Sequence, residues 1–358
     1  MMGFPEIILN IATVNLSDAH LAPRRAERLN SQKPAEDGIH LCSRKTVACT
    51  DRVASSIKVL LFVMRCAGIP EYRTVKSNHI YSYWQKIVLL VLRQEEGMSW
   101  ERFLARLPSY KATADVLGMK YIPDHTTMEK FAKNVGRGHL DLIISGFSAA
   151  VGNEHLVLAI DGTGFSDRYA SAHFEKRIAE LRGSVYGRRR ARCFVKTSLA
   201  GDTETKIVLS ADVVRGKTHD IVMGRANVER LAAAGIPAEY VLADKGFDAE
   251  WFHELCRERL GATALIPVRM KKDEREKKCT RTKGIRRCSM KWKLKMPENA
   301  ARYRKRSSIE CINSVIKRLF GDSVKARTEE TIGNELLSRV IAHNIERIVK
   351  LELEGVFA

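Results

Sequence analysis

Three carboxylates in this sequence stand where chemistry could account for them. Asp161 follows the apolar run of AIDGTGF, Asp244 follows that of LADKGFD, and Glu310 is the one acid in the basic stretch RYRKRSSIECINSVIKRLFG. Brought together, such groups repel and raise one another's pKa. A hard divalent cation relieves that repulsion, and Mg²⁺ favours oxygen ligands. Two ions about 4 Å apart can activate an attacking oxygen and stabilise a leaving one in phosphoryl transfer. Each acid also has a plainer reading. Asp161 and Asp244 can be turn residues beside glycine, and Ser307 with Glu310 three residues later fits a capping box.

The elements that would position these acids can be read from periodicity. LVLAIDGTGF, ARCFVKTSLAGD and TKIVLSADVVRG read as consecutive antiparallel strands, the last two split by Gly201 and Asp202. A helix to Gly235, a fourth strand in AEYVLADKGFD, a helix in AEWFHELCRERLG, a fifth strand in ATALIPVR and later helices follow. That order predicts a ribonuclease-H-like α/β fold: a mixed five-stranded sheet with flanking helices. Asp161 is placed at the end of the first strand and Asp244 at the end of the fourth. These two strands are neighbours in such a fold, so both acids would share one crevice.

Glu310 must reach that crevice from a helix. At about 100° per residue, Tyr303, Arg306, Glu310 and Lys317 fall within an arc of about 60°. Ile309, Ile312, Val315, Ile316, Leu319 and Phe320 take roughly the other side, which would pack. Arg318 is rotated about 100° from Lys317 and so off the stripe.

The rest of the chain is strongly basic. Its 358 residues hold 61 Lys and Arg against 42 Asp and Glu, a formal charge of +19. That excess points to a polyanion, either nucleic acid or an anionic membrane surface. From Arg269 to Arg306 there are 17 Lys and Arg and four Asp and Glu. The run is either a solvated face or a phosphate-tracking loop leading into the Glu310 helix. Arg188, Arg189 and Arg190 form a second basic patch. No apolar stretch is long enough to span a bilayer and no signal-peptide n-region is present, so the chain is expected in the cytoplasm, without a membrane partner. The eight cysteines are scattered; neither Cys279 with Cys288 nor His253 with Cys256 makes a zinc pattern.

Residues 1–55 show little periodicity and are expected to be poorly ordered. Residues 56–150 read as helical, with a Ser cap before WERFLARL and Asp124 or Thr126 as a cap before a short helix. They fit a DNA-binding helix-turn-helix domain or a helical packing module.

Taken together, AIDGTGF, RGKTHDI, LADKGFD and the spacing Y-x2-R-x3-E-x6-K at Tyr303, Arg306, Glu310 and Lys317 resemble the DDE transposases of bacterial and archaeal insertion sequences. The resemblance runs from about residue 80 to 348. It implies a catalytic domain over 155–350 with a basic loop at 269–306, and Asp161, Asp244 and Glu310 as catalytic residues holding two Mg²⁺ or Mn²⁺ ions. It also implies Tyr303, Arg306 and Lys317 near the DNA. Members of that family often carry a large β-rich insertion before the Glu; here Asp244 and Glu310 are too close for one, so none is expected. His219 is a candidate for positioning near the site, or a structural residue at a helix start. The partners implied are double-stranded DNA, as element ends and as target, and a second copy of the chain in the DNA complex. The reaction implied is cleavage by water to free a 3′-hydroxyl, then attack of that hydroxyl on target DNA, in the nucleoid. A plain metal-dependent nuclease of the same fold and a non-cutting DNA-binding protein stay open as alternatives.

Overall fold

The computed structural model describes residues 49–74, 79–151, 155–167, 194–216, 218–267 and 295–353. Of the basic loop expected at 269–306, residues 269–294 lie outside the described residues, as do Arg188, Arg189 and Arg190 and residues 1–48; its last part, Pro297–Arg304, is helical rather than loop. Helix α1, Cys49–Cys66, takes in the last residues of the segment expected to be loose.

Helices α2 (Tyr83–Glu96), α3 (Trp100–Arg106), α4 (Lys111–Val116), α5 (His125–Asn134), α6 (Arg137–Gly146) and the short α7 (Ser148–Val151) follow. Their ends obey local rules. Ser82 and Gln85 cap α2 reciprocally, and Gly97 closes it with a φ of 60°. Ser99 caps α3, and Asp124 caps α5 by accepting from the Thr126 N–H at 2.8 Å. Ile87 to Leu92 of α2 are all buried, as a continuous apolar run requires.

Among the described residues the sheet holds six strands: β1 (Val157–Asp167), β2 (Phe194–Asp202), β3 (Val208–Arg215), β4 (Tyr240–Leu242), β5 (Thr263–Leu265) and β6 (Ser323–Val324). Their order is β3-β2-β1-β4-β5, with β6 beside the far end of β1. β1, β2 and β3 are antiparallel, whereas β4 and β5 run parallel to β1. Helices α8 (Asp220–Ala233) and α9 (Glu250–Leu260) make the crossovers. This mixed α/β sheet has the order expected of a ribonuclease-H-like fold. The two-residue β6 is additional, being too short to leave a periodic signal.

Beyond β5 come α10 (Pro297–Arg304), α11 (Ser307–Phe320) and the long α12 (Glu329–Leu353). α12 packs on β3 with one side and on α1, α2, α5 and α6 with the others. The N-terminal helices therefore share one continuous core with the sheet, from Ile57 to Leu351. Arg339 of α12, only 2% exposed, is ion-paired to Glu335 and donates to the carbonyls of Gly321 and Ser323 at 3.0 and 2.8 Å. A buried guanidinium needs such partners, and in meeting that need it fixes the turn between α11 and β6. No helix among the described residues is long and apolar enough to cross a membrane.

Candidate active site

Register places the first two acids side by side. Ala159 of β1 is opposite Leu242 of β4, and Asp161 and Asp244 each lie two residues beyond that pair. Side chains alternate along a strand, so both acids are set toward the same face. One expectation needs correcting: Asp161 is in the middle of β1, not at its end. The strand continues to Asp167 because β2 runs alongside it, pairing Asp161 with Leu199 and Phe165 with Val195. What ends near Asp161 is β4, and that opens the crevice. Asp244 also keeps part of its plainer role. It caps a single 3₁₀ turn, Lys245–Phe247, with Oδ1 accepting from the Gly246 N–H at 2.6 Å.

Asp161 sits in a crowded field. Burial pushes its carboxyl above the usual range; the Gly162 N–H and Arg306 pull it down, and Asp220 and Asp244 push it up again. Asp220, at the start of α8, reaches this region from the other face of the sheet. Its Oδ1 would lie 2.0 Å from a Cβ at residue 162, a place that only glycine leaves open. Lys196 of β2 holds it there, with Nζ 2.9 Å from Asp220 Oδ1 and donating to the Thr218 carbonyl at 2.8 Å. Sequence reading missed Asp220 as a site residue, although a glycine within a strand signals such a close approach.

Tyr303 and Glu310 stand on two helices rather than one. The chain tightens at Lys305 and Arg306, where the N–H groups of residues 305, 306, 308 and 309 each bond to a carbonyl three residues back. Both residues keep right-handed helical angles, so the stripe stays together across the join. The Tyr303 hydroxyl donates to the Ala243 carbonyl, beside Asp244, at 3.4 Å. Arg306 forms an ion pair with Glu310. Burial raises the Tyr303 phenol, with Arg306 opposing and Asp244 assisting. The capping-box alternative does not hold: Arg306 is the cap of α11 and makes no side-chain cap bond. Ser307 Oγ instead donates to the Arg304 carbonyl at 3.1 Å.

α11 packs through Ile309, Ile312 and Ile316, with Ile312 Cδ1 only 2.9 Å from where a Cβ on Gly201 would stand. Its apolar face is narrower than expected, because Leu319 is 48% exposed. The opposite side opens on a groove lined by Asp161, Glu310, Asn313, Lys317, Arg318 and Asp322, among others. Lys317 lies over the Phe165 ring at 5.4 Å. Arg318, expected off the stripe, lines the groove as well. Asp322, in the turn after α11, is another residue that the sequence did not single out. Asp244 is absent from the groove's lining, and His219 is an exposed residue before α8 whose side chain makes no cap bond.

The donor set suits a hard cation: carboxylate oxygens at a place where burial, with Asp220 and Asp244 adding to it, raises the Asp161 pKa. Among the described residues, however, no three potential ligands converge on one point as they stand. Glu310 would have to leave Arg306 to join the two aspartates.

A family model, the transposase DDE domain, matches residues 152–345, which span this whole arrangement. The chain belongs to the DDE transposase family. This transposase is 26% identical over 243 residues to an uncharacterized protein of Aquifex aeolicus (strain VF5), covering 65% of this chain and 69% of that one. Among solved structures it is similar to the piggyBac transposase in a cryo-EM structure of the synaptic complex with hairpin DNA. The TM-score there is 0.42 at 13% identity, over 86% of the transposase described here and 73% of the other chain.

Proposed function

We propose that this transposase binds the terminal inverted repeats of an insertion sequence, cuts the DNA at its ends and joins them to a target. The observation that carries this reading is the level placement of Asp161 and Asp244 across β1 and β4, with Glu310 lining one groove with Asp161 and its partner Arg306 acting on the Asp161 carboxyl. Asp161, Asp244 and Glu310 would hold two Mg²⁺ or Mn²⁺ ions. When bound, such ions supply activation of the attacking oxygen and charge stabilisation of the leaving one.

The chain's own residues do the rest. Arg306 is the counter-ion of Glu310 and would be free to hold a DNA phosphate were Glu310 to serve as a metal ligand. Tyr303, tied to the Ala243 carbonyl, keeps that helix join against the Asp244 turn. Lys317 neutralises backbone phosphate along the groove, and His219 helps position the strand. The basic segment at 269–306, whose last part is α10, and Arg188, Arg189 and Arg190 also contact DNA phosphate. The helical region at 56–150 contributes DNA binding, and two copies of the chain pair the two ends on the nucleoid.

A strand-transfer assay tests the reading. The DNA flanking the gene supplies the ends: short inverted repeats bounded by a target duplication. Labelled ends incubated with protein, Mg²⁺ and plasmid should be cut and joined to the plasmid. Cutting without joining would make the protein a nuclease. Binding without either would make it a repurposed DNA-binding protein.

A further inference from the structure

Asn313 is an unusual residue for its place on α11. It lies at the boundary between the packing face and the groove, 7% exposed, one turn from Ile309 and one turn from Ile316. Its Oδ1 is buried and accepts no hydrogen bond. A buried acceptor left unpaired is destabilising, and asparagine is a poor residue for a helix interior. Leucine would pack there without either cost. Yet Asn313 also lines the groove, one turn beyond Glu310 and one turn before Lys317. The other end of the carboxamide is an NH₂ group, a donor.

We propose that Asn313 is a substrate-positioning residue whose Nδ2 donates to a phosphodiester oxygen of the DNA strand lying between Glu310 and Lys317. This inference rests on the reading of the groove as the DNA site. A neutral donor between an acid and a base is suited to this position. It can hold a phosphate next to Glu310 without neutralising the carboxylate, as a lysine there would. Asparagine side chains commonly contact DNA backbone in this way, fixing register rather than reading sequence.

The test is binding of a fluorescein-labelled random-sequence duplex with a 3′ overhang to the full chain, without divalent metal, across a salt series. Asn313→Leu should bind about tenfold more weakly, the effect of losing one hydrogen bond to a charged group. Its salt slope should stay unchanged, since no cation is lost. It should also unfold at the same temperature as the wild type or higher. Asn313→Ser keeps a hydroxyl donor and should bind within about threefold of wild type. A Leu variant that binds as tightly as wild type would overturn the proposal, as would a Ser variant that loses as much as Leu. Asp161→Asn tests the underlying reading separately, through cleavage. If Asp161→Asn no longer cuts while Asn313→Leu binds normally, only the role of Asn313 is refuted.

Discussion

The carboxylate of Asp220 rests against the backbone of Gly162, the residue next to Asp161, so closely that a methyl group there would lie 2.0 Å from Oδ1. Lys196 anchors that carboxylate from β2, so it cannot give way freely. Gly162→Ala should therefore cost about 1–3 kcal/mol, the usual range for overpacking. Adding Asp220→Ser should recover part of that loss, because it removes the atom in the way. Urea unfolding of the two single variants and the double variant measures the coupling. Additive effects would show that the two residues do not constrain each other.

Arg306 separates structural from functional cost. Its pair with Glu310 is an i,i+4 bridge with a half-exposed carboxylate, worth about 0.3–0.5 kcal/mol to the helix. Arg306→Gln should hardly change the unfolding temperature. If the guanidinium also holds a phosphate in the complex, cleavage of element ends should fall by about two orders of magnitude, in line with losing one preorganised donor to a charged group. A large stability loss with normal cleavage would assign Arg306 to the fold alone.

Lys317 and Arg318 both line the groove, so alanine at either position should weaken DNA binding and flatten the salt dependence by about 0.9 per lost contact. Only Lys317 packs on an aromatic ring, Phe165, so Lys317→Ala should also lower the unfolding temperature more. An unchanged salt slope for Arg318→Ala would restore the simple helical projection that set it off the stripe.

Stability should also depend on pH through Glu95 of α2. Burial, with Glu346 and Glu96 adding and Arg52 opposing, raises its pKa from 4.5 to about 8. Between those values the folded state holds a proton that the unfolded state has lost, so stability falls as pH rises. Glu95→Gln should match wild type near the lower value and exceed it by up to about 4 kcal/mol at the upper one. Unfolding curves at pH 5 and pH 8.5 measure this. A wild-type stability that rises over that interval, with no gain from Gln, would contradict it.

The sheet order was legible because each strand carries its own local signal. Gly201 and Asp202, expected as the split, are in fact the end of β2, and Asp202 shapes the turn to β3 that follows by accepting from the Glu204 and Thr205 N–H groups; Gly235 ends the helix before β4. The pairing of β1 with β4, and with it the placing of Asp161 and Asp244 side by side, followed from that order alone. The missed features arise from contacts distant in sequence. Nothing local tells β1 to run past Asp161; its neighbours Val195 and Leu199 do so from the other side of the sheet. The tightening at Lys305 and Arg306 has no proline or glycine to announce it. Asp220 meets Gly162 across 58 positions, and only the glycine hints at it. Asn313, a single polar residue at the boundary of an apolar face, differs from a structural one only once its unpaired oxygen is seen.

Glu310 decides the account. As a mere surface partner of Arg306, it would tolerate Glu310→Gln with little effect on either stability or activity. As the third acid of the site, it cannot: the amide keeps shape and loses the charge that a cation needs. The measurement is the rate of Mg²⁺-dependent cleavage of labelled element ends by Glu310→Gln beside wild type, at equal DNA occupancy. The expected result is a loss of at least about two to three orders of magnitude, as for other single groups that stabilise charge at a reacting centre, with the unfolding temperature nearly unchanged. Cleavage by Glu310→Gln at the wild-type rate would contradict it.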